Sequence, residues 1–168
     1  TMINFGRGSP NAAIIMDLLT AIKPRACLVL GKCGGINRKN KLGDLILPIA
    51  AIRGEGTSND YFPAEVPSLP AFMLQRAVSS AIRDYARDYW TGTVYTTNRR
   101  VWEHDTEFKN YLTKTRAMAV DMETATHYHQ KNDDIKVIDF ENMNQLSNSM
   151  YETFKSYIQS NAQPKLND

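Results

Sequence analysis

The stretch from residue 27 to residue 48 constrains this chain most. It reads C-L-V-L-G-K-C-G-G-I, passes through a basic polar patch, and closes with G-D-L-I-L-P. The run 27–30 is short and apolar, of the kind that is buried on both faces as a parallel strand. It leads straight into Gly31, Lys32, Cys33, Gly34 and Gly35. Three glycines in five residues let backbone N–H groups approach an anion or a sugar with no Cβ in the way. Lys32 adds positive charge at the same turn. Ligands of open α/β sheets sit beyond the carboxyl ends of the strands, where such a turn would lie. A tight strand-ending turn with no ligand accounts for the same residues equally well.

The rest of the chain sets the frame. At 168 residues it is one domain with room for a core. A hydrophobic fraction of 42% and a charged fraction of 23% are those of a globular protein. The net charge of +2 is small and its basic residues form no block, which argues against a dedicated nucleic-acid binder. No apolar run reaches the length of a membrane-spanning helix. The opening residues lack the pattern of a secretory leader. Cys27 and Cys33 are the only cysteines, with no histidine close by, so neither a zinc site nor a disulfide framework is expected. Neither a cofactor nor a metal is expected. A reduced, cytoplasmic setting fits.

Periodicity supplies the order of elements. Residues 2–5 read as a strand, followed by Gly6-Arg7-Gly8-Ser9-Pro10 and a helix over 12–22. Ala12, Ile15, Met16, Leu19 and Ile22 recur at helical spacing, with Ser9 as the expected N-cap and Pro10 opening the helix. The glycine-rich turn is suited to a phosphate or sugar oxygen at a helix N-terminus, or to a plain connection. With the strand at 27–30 this makes a strand–helix–strand unit, the mark of a parallel sheet. A strand is expected at 45–52, then a polar loop over 53–61, a helix at 71–85 and a strand at 92–97. A short helix at 108–112 and a strand at 117–120 follow. Asp121-Met122-Glu123-Thr124 starts another helix, where a carboxylate caps the backbone or accepts from two sugar hydroxyls. Residues 127–134 read as polar, with His127 and His129 badly spaced for a metal pair. A strand at 135–140 and a helix at 143–158 close the pattern. Trp102 offers a flat face for a base, and Arg99 and Arg100 charge for a phosphate. Composition alone favours a packed tryptophan and solvated arginines.

Taken together, five strings resemble the nucleoside phosphorylase and nucleosidase superfamily. They are I-N-F-G-R-G-S-P-N-A-A, L-G-K-C-G-G, G-D-L-I-L-P-I-A-A-I-R-G-E-G-T-S-N-D-Y, G-T-V-Y-T-T-N-R-R-V-W-E-H-D and A-V-D-M-E-T-A-T. They occur in the family's order over residues 2–126. Within the superfamily the chain looks most like the bacterial AMP nucleosidases. The resemblance implies an α/β fold of three αβα layers around a mixed, mostly parallel sheet. It implies a single catalytic domain over residues 1–168, incomplete at the N-terminus and after residue 126.

The implied reaction is hydrolysis of the N-glycosidic bond of AMP, giving adenine and ribose 5-phosphate. By similarity, Met122 packs under the ribose and Glu123 holds its 2′ and 3′ hydroxyls. Thr96, Thr97 and Asn98 border the base, with Arg100 and Trp102 beside them. Gly31, Lys32, Cys33 and Gly34 lie under the sugar. Arg7, Lys32, Arg53 and Arg99 are the candidates for the 5′-phosphate, with Arg100 beside them. Phosphorolytic relatives carry an arginine two residues before the glycine of this turn. Val29 stands there instead, which favours water over phosphate as nucleophile. The family's general acid lies in a Ser-Asp pair that this chain lacks after Glu123, and Asp139 is the nearest positional substitute. Relatives are usually homo-oligomers, often hexamers, so the expected partners are AMP or a related purine nucleotide and further copies of the chain. Another purine nucleosidase or phosphorylase, or an inactive nucleotide-binding homologue, remains open.

Overall fold

The computed structural model describes residues 2–127. Asp139, the expected strand at 135–140 and the helix at 143–158 lie outside these residues. Within them the chain builds a four-stranded mixed sheet with helices, the α/β class read from the sequence. In chain order the elements are α1 (Ser9–Ile22), β1 (Gly34–Gly35), β2 (Leu45–Gly54), a 3-10 turn (Thr57–Asp60), α2 (Phe72–Asp84), β3 (Tyr89–Thr97), α3 (Thr106–Thr115), β4 (Ala119–Asp121) and α4 (Thr124–His127).

The sheet order is β1-β4-β3-β2. β2 runs parallel to β3 from Leu45↔Tyr89 to Gly54↔Thr97, and β3 runs parallel to β4 through Val94↔Ala119, Tyr95↔Val120 and Thr96↔Asp121. Only β1 is antiparallel, pairing Gly34 with Val120 and Gly35 with Ala119. The register of β2 shifts between Pro48 and Ala50. Proline lacks the N–H a central strand needs, and β2 is the edge strand of this sheet, where that loss is tolerated.

Two expected strands are absent. Residues 2–5 and 27–30 join no ladder. A run of apolar residues calls for burial but does not itself supply a pairing partner, and no described strand lies alongside either segment. Their side chains are correspondingly open, with Met2 77% and Leu30 38% exposed. The strand–helix–strand unit is therefore not seen, and the chain pairs with β4 later, at Gly34.

Helix α1 buries Ala12 and Met16 of the predicted face and also Ala13, while Ile15 and Leu19 are half-buried and Ile22 at its end is exposed. Its start differs from expectation. Gly8 is the N-cap, at φ 92° and ψ 151°, and no side chain caps the helix. The Ser9 hydroxyl donates instead to the Met122 carbonyl at 2.9 Å. Helix α2 packs Val78 and Ile82 inward, as its periodicity requires. Helix α3 starts two residues before the expected 108, because the Asp105 carboxylate caps it by accepting from the Phe108 N–H at 2.9 Å. The core beneath it joins Tyr95, Leu112, Ala117 and Val120, with Ile36, Ile52, Trp102 and Phe108 packed around them.

His127, the first residue of the run read as polar, is buried. It is 8% exposed at the end of α4, with the Phe5 ring edge-on at 5.0 Å.

Candidate active site

The parallel strands β2, β3 and β4 all end on the same side of the sheet, at Gly54, Thr97 and Asp121. Three backbone segments converge there. Gly34 pairs with Val120 and so brings the glycine turn against the end of β4. The Gly6–Gly8 turn arrives from the front of α1. The segment from Asp121 to Thr124 leaves β4 and enters α4. This is the position at which open α/β sheets hold their ligands.

Glu123 is fixed from two sides. Its Oε1 accepts the Gly8 N–H at 2.6 Å, and its Oε2 accepts the Met122 N–H at 3.2 Å. Charge-assisted bonds of this kind are about twice as strong as neutral ones. They also leave lone pairs on both oxygens, since a carboxylate has about four acceptor positions. Met122 is held through its carbonyl by buried Ser9. The Met-Glu pair is thus anchored to the first turn of α1 by one backbone N–H and one hydroxyl.

The two carboxylates of this segment divide the roles left open by the sequence. Asp121 does the capping. Its Oδ2 accepts the Thr124 N–H at 2.7 Å, the Thr124 hydroxyl, and the Glu123 N–H at 3.3 Å. Its Oδ1 accepts the Thr96 hydroxyl at 2.7 Å. Glu123 is left to face the convergence of loops. The pattern Asp-x-x-Thr ahead of a helix was the available signal for the cap.

Several residues expected at the base point elsewhere. Thr96 is fully buried, and its oxygen donates to Asp121 and accepts the Ala125 N–H at 3.0 Å. Thr97 is 2% exposed and its hydroxyl accepts the Arg99 N–H. Both threonines act within the fold, because the end of β3 is covered by α4. Asn98 is exposed, and its Nδ2 donates to the Glu55 carbonyl at 3.4 Å. Trp102 is half-buried against the core with its ring edge on Phe108 at 5.9 Å. That is the packed alternative for Trp102.

The phosphate candidates separate sharply. Arg53 has all five N–H groups engaged. Nε donates to Ser58, one terminal nitrogen to the Pro63 and Val66 carbonyls, and the other to Asn59 and the Phe62 carbonyl. Beside it, buried Glu55 accepts from the Ser58 hydroxyl at 2.5 Å and the Ser58 N–H at 3.1 Å. This knot shapes the loop after β2 and was not legible as such in the sequence. Arg99 is paired with Asp105 at 2.8 Å and lies over the Phe108 ring at 4.8 Å. Among the described residues, the side chains of Arg7, Lys32 and Arg100 make no hydrogen bond or ion pair, Arg100 lying only in the field of the Glu103 carboxylate, and all three are exposed.

The glycine turn is open at Gly31 and close-packed at Gly35, where a Cβ would stand 3.1 Å from Asn40. A Cβ at Gly31 would meet nothing within 4 Å. Cys33 keeps an exposed surface, yet desolvation and, second, the Asp121 carboxylate raise its thiol pKa. The thiol therefore stays protonated near neutrality and is a poor nucleophile.

The family model for the phosphorylase superfamily matches residues 1–130. The chain belongs to the phosphorylase superfamily. The crystal structure of AMP nucleosidase from Bacteroides thetaiotaomicron superposes with a TM-score of 0.71 at 70% identity, covering 73% of this chain and 51% of that one. AMP nucleosidase from Escherichia coli K12 is 32% identical over 135 residues, which is 75% of this chain and 28% of that protein. Guanosine phosphorylase from Halorubrum lacusprofundi is 27% identical over 126 residues, 75% of this chain and 52% of that protein. The chain thus spans about half, or less, of the length of these superfamily relatives.

Proposed function

We propose that this superfamily member carries the glycosidic site of an AMP nucleosidase, hydrolysing AMP to adenine and ribose 5-phosphate. The observation that carries the reading is the Glu123 carboxylate, held at the end of β4 by the Gly8 N–H at 2.6 Å. The 70% identity with the Bacteroides AMP nucleosidase supports it.

In this reading Glu123 accepts hydrogen bonds from the 2′ and 3′ hydroxyls of the ribose, and Met122 packs beneath the sugar. As the bond from C1′ to the purine breaks, the sugar gains cationic character, and a fixed carboxylate beside it favours that charge. Water adds to C1′ and loses a proton, and the purine leaves with its bonding pair after gaining a proton at N7. No described residue is assigned as the acid that delivers this proton, and Asp139 lies outside the described part. Val29, at the position of the phosphorolytic arginine, supports water as the nucleophile. Arg7, Lys32 and Arg100 hold the 5′-phosphate, because Arg53 and Arg99 are already engaged. The working protein is a cytoplasmic homo-oligomer. No helix among the described residues is long and apolar enough to cross a membrane.

The test is release of adenine from AMP by the purified protein, with and without inorganic phosphate. Turnover without phosphate is expected, and Glu123→Gln lowers kcat/KM by about 10²–10³-fold. A strict phosphate requirement identifies a phosphorylase instead. Tight AMP binding without turnover identifies an inactive nucleotide-binding protein.

A further inference from the structure

Thr96 and Asp121 form a device that the reaction itself does not require. Thr96 sits in β3 with no exposed surface, yet its hydroxyl donates to Asp121 Oδ1 at 2.7 Å and accepts the Ala125 N–H at 3.0 Å. A threonine in a buried strand satisfies its hydroxyl most simply on a neighbouring carbonyl. Here it reaches across to the next strand and the following helix. Asp121 in turn accepts four hydrogen bonds, from Thr96, the Glu123 N–H, the Thr124 N–H and the Thr124 hydroxyl. Three of those four donors belong to the chain immediately after it. Beyond the β3–β4 pairing itself, Thr96 is the one residue among the described residues outside this segment whose side chain bonds to the Asp121 carboxylate.

We infer that Thr96 and Asp121 are positioning residues that set where the Glu123 carboxylate meets the sugar. The inference rests on the assignment of Glu123 to the ribose hydroxyls. Glu123 reaches the substrate from a Cα whose own N–H is held by Asp121 Oδ2 at 3.3 Å. Gly8 fixes the far end of the same side chain at 2.6 Å. One anchor is the N-cap of α1 and the other is Asp121 of β4, itself held by Thr96 of β3, so the carboxylate is set between two elements. Losing Thr96 removes the donor to Asp121 and leaves the Ala125 N–H unpartnered in a buried place, a costly state for a backbone group. Asp121 Oδ1 then has no donor, the carboxylate is held only by the Oδ2 bonds to the segment that follows it, and the Glu123 N–H among those donors shifts with it. A displacement of about 1 Å at a positioning group costs on the order of 10²-fold in rate.

The experiment compares AMP with 2′-deoxy-AMP as substrates of the full chain. Glu123 accepts from the 2′ hydroxyl, so the wild-type protein is expected to prefer the ribonucleotide by roughly 10- to 100-fold in kcat/KM. Thr96→Val is expected to reduce that preference to less than about threefold, and Thr96→Ser to retain it. A fall in folded fraction lowers both substrates together and leaves the ratio unchanged. Thr124→Ala, which removes one donor from the other Asp121 oxygen, provides a milder second variant and is expected to narrow the ratio partway. A Thr96→Val protein with a wild-type ratio overturns the inference while leaving Glu123 in place. A wild-type protein indifferent to the 2′ hydroxyl overturns the Glu123 assignment, and the inference with it.

Discussion

The N–H of Gly8 stands 2.6 Å from the Oε1 of Glu123, joining two residues 115 positions apart in the chain. The contact exists because Gly8 adopts φ 92° and ψ 151°, a region essentially confined to glycine. Gly8→Ala meets no serious clash, the nearest atom to the new Cβ being Pro10 Cδ at 3.7 Å. The effect is therefore conformational. The variant is expected to lose about 1–3 kcal/mol of stability from backbone strain. Its kcat/KM for AMP falls further than folding accounts for, because the N–H turns away from the carboxylate. Urea unfolding alongside steady-state kinetics separates the two.

Arg53 gives a prediction of the opposite kind. Lysine cannot reproduce the five-donor fork that ties Ser58, Asn59 and three carbonyls together. Arg53→Lys is expected to lower stability by about 2 kcal/mol through unpaired carbonyls in the loop. The KM for AMP should change little once the folded fraction is accounted for. A raised KM at unchanged stability would return Arg53 to the phosphate site.

Gly54 closes β2 against the Tyr95 ring, and a Cβ there would stand 2.3 Å from it. Tyr95 has no room to retreat, being edge-on to Phe108 at 5.9 Å and to Tyr111 at 5.8 Å. Gly54→Ala is therefore expected to destabilise by about 1–3 kcal/mol, the usual result of overpacking. Thermal unfolding of the variant measures this directly.

His127 predicts a pH dependence. Burial lowers its pKa from 6.5 to about 4, and neither ring nitrogen has a hydrogen-bond partner among the described residues. The folded state therefore favours the neutral ring. This contribution is fully present above pH 6.5. It is lost as pH falls from 6.5 to 4, because the unfolded chain takes up the proton first. The loss is about 1.4 kcal/mol at pH 5.5 and about 3 kcal/mol near pH 4. His127→Gln should flatten this part of the curve of urea midpoint against pH.

The elements that carry their own signal were legible. The alternation and β-branching of residues 92–97 and the helical spacing of 71–85 each name one structure, and β3 and α2 are what they name. Residues 27–30 carry only hydrophobicity, which fixes burial without fixing a partner, and they form no ladder here. The Asp-Met-Glu string singled out Met122 and Glu123, which lie after β4 and are bonded to Ser9 and Gly8. The division of roles between Asp121 and Glu123 was not, because both are carboxylates at a helix start and only the third dimension shows which meets Gly8. Ser9 was misread for a similar reason. Serine before proline is the best cap in one dimension, but a carbonyl from residue 122 competes for the same hydroxyl. Thr96 lies beside the site in sequence, yet β3 points its hydroxyl inward.

The bridge between Gly8 and Glu123 also bears on synthesis. A chain leaves the ribosome N-terminus first, so the front of α1 is exposed long before residue 123 exists. Closing so long a loop is entropically unfavourable until the strands between are paired, and β4 is the last of them. The carboxylate and its backbone donor therefore meet late, after the sheet has formed. A nascent chain arrested before residue 123 would have the glycine turns but not the carboxylate proposed to hold the sugar. Nucleotide capture by ribosome-bound chains would mark the moment at which the two ends of the described domain come together.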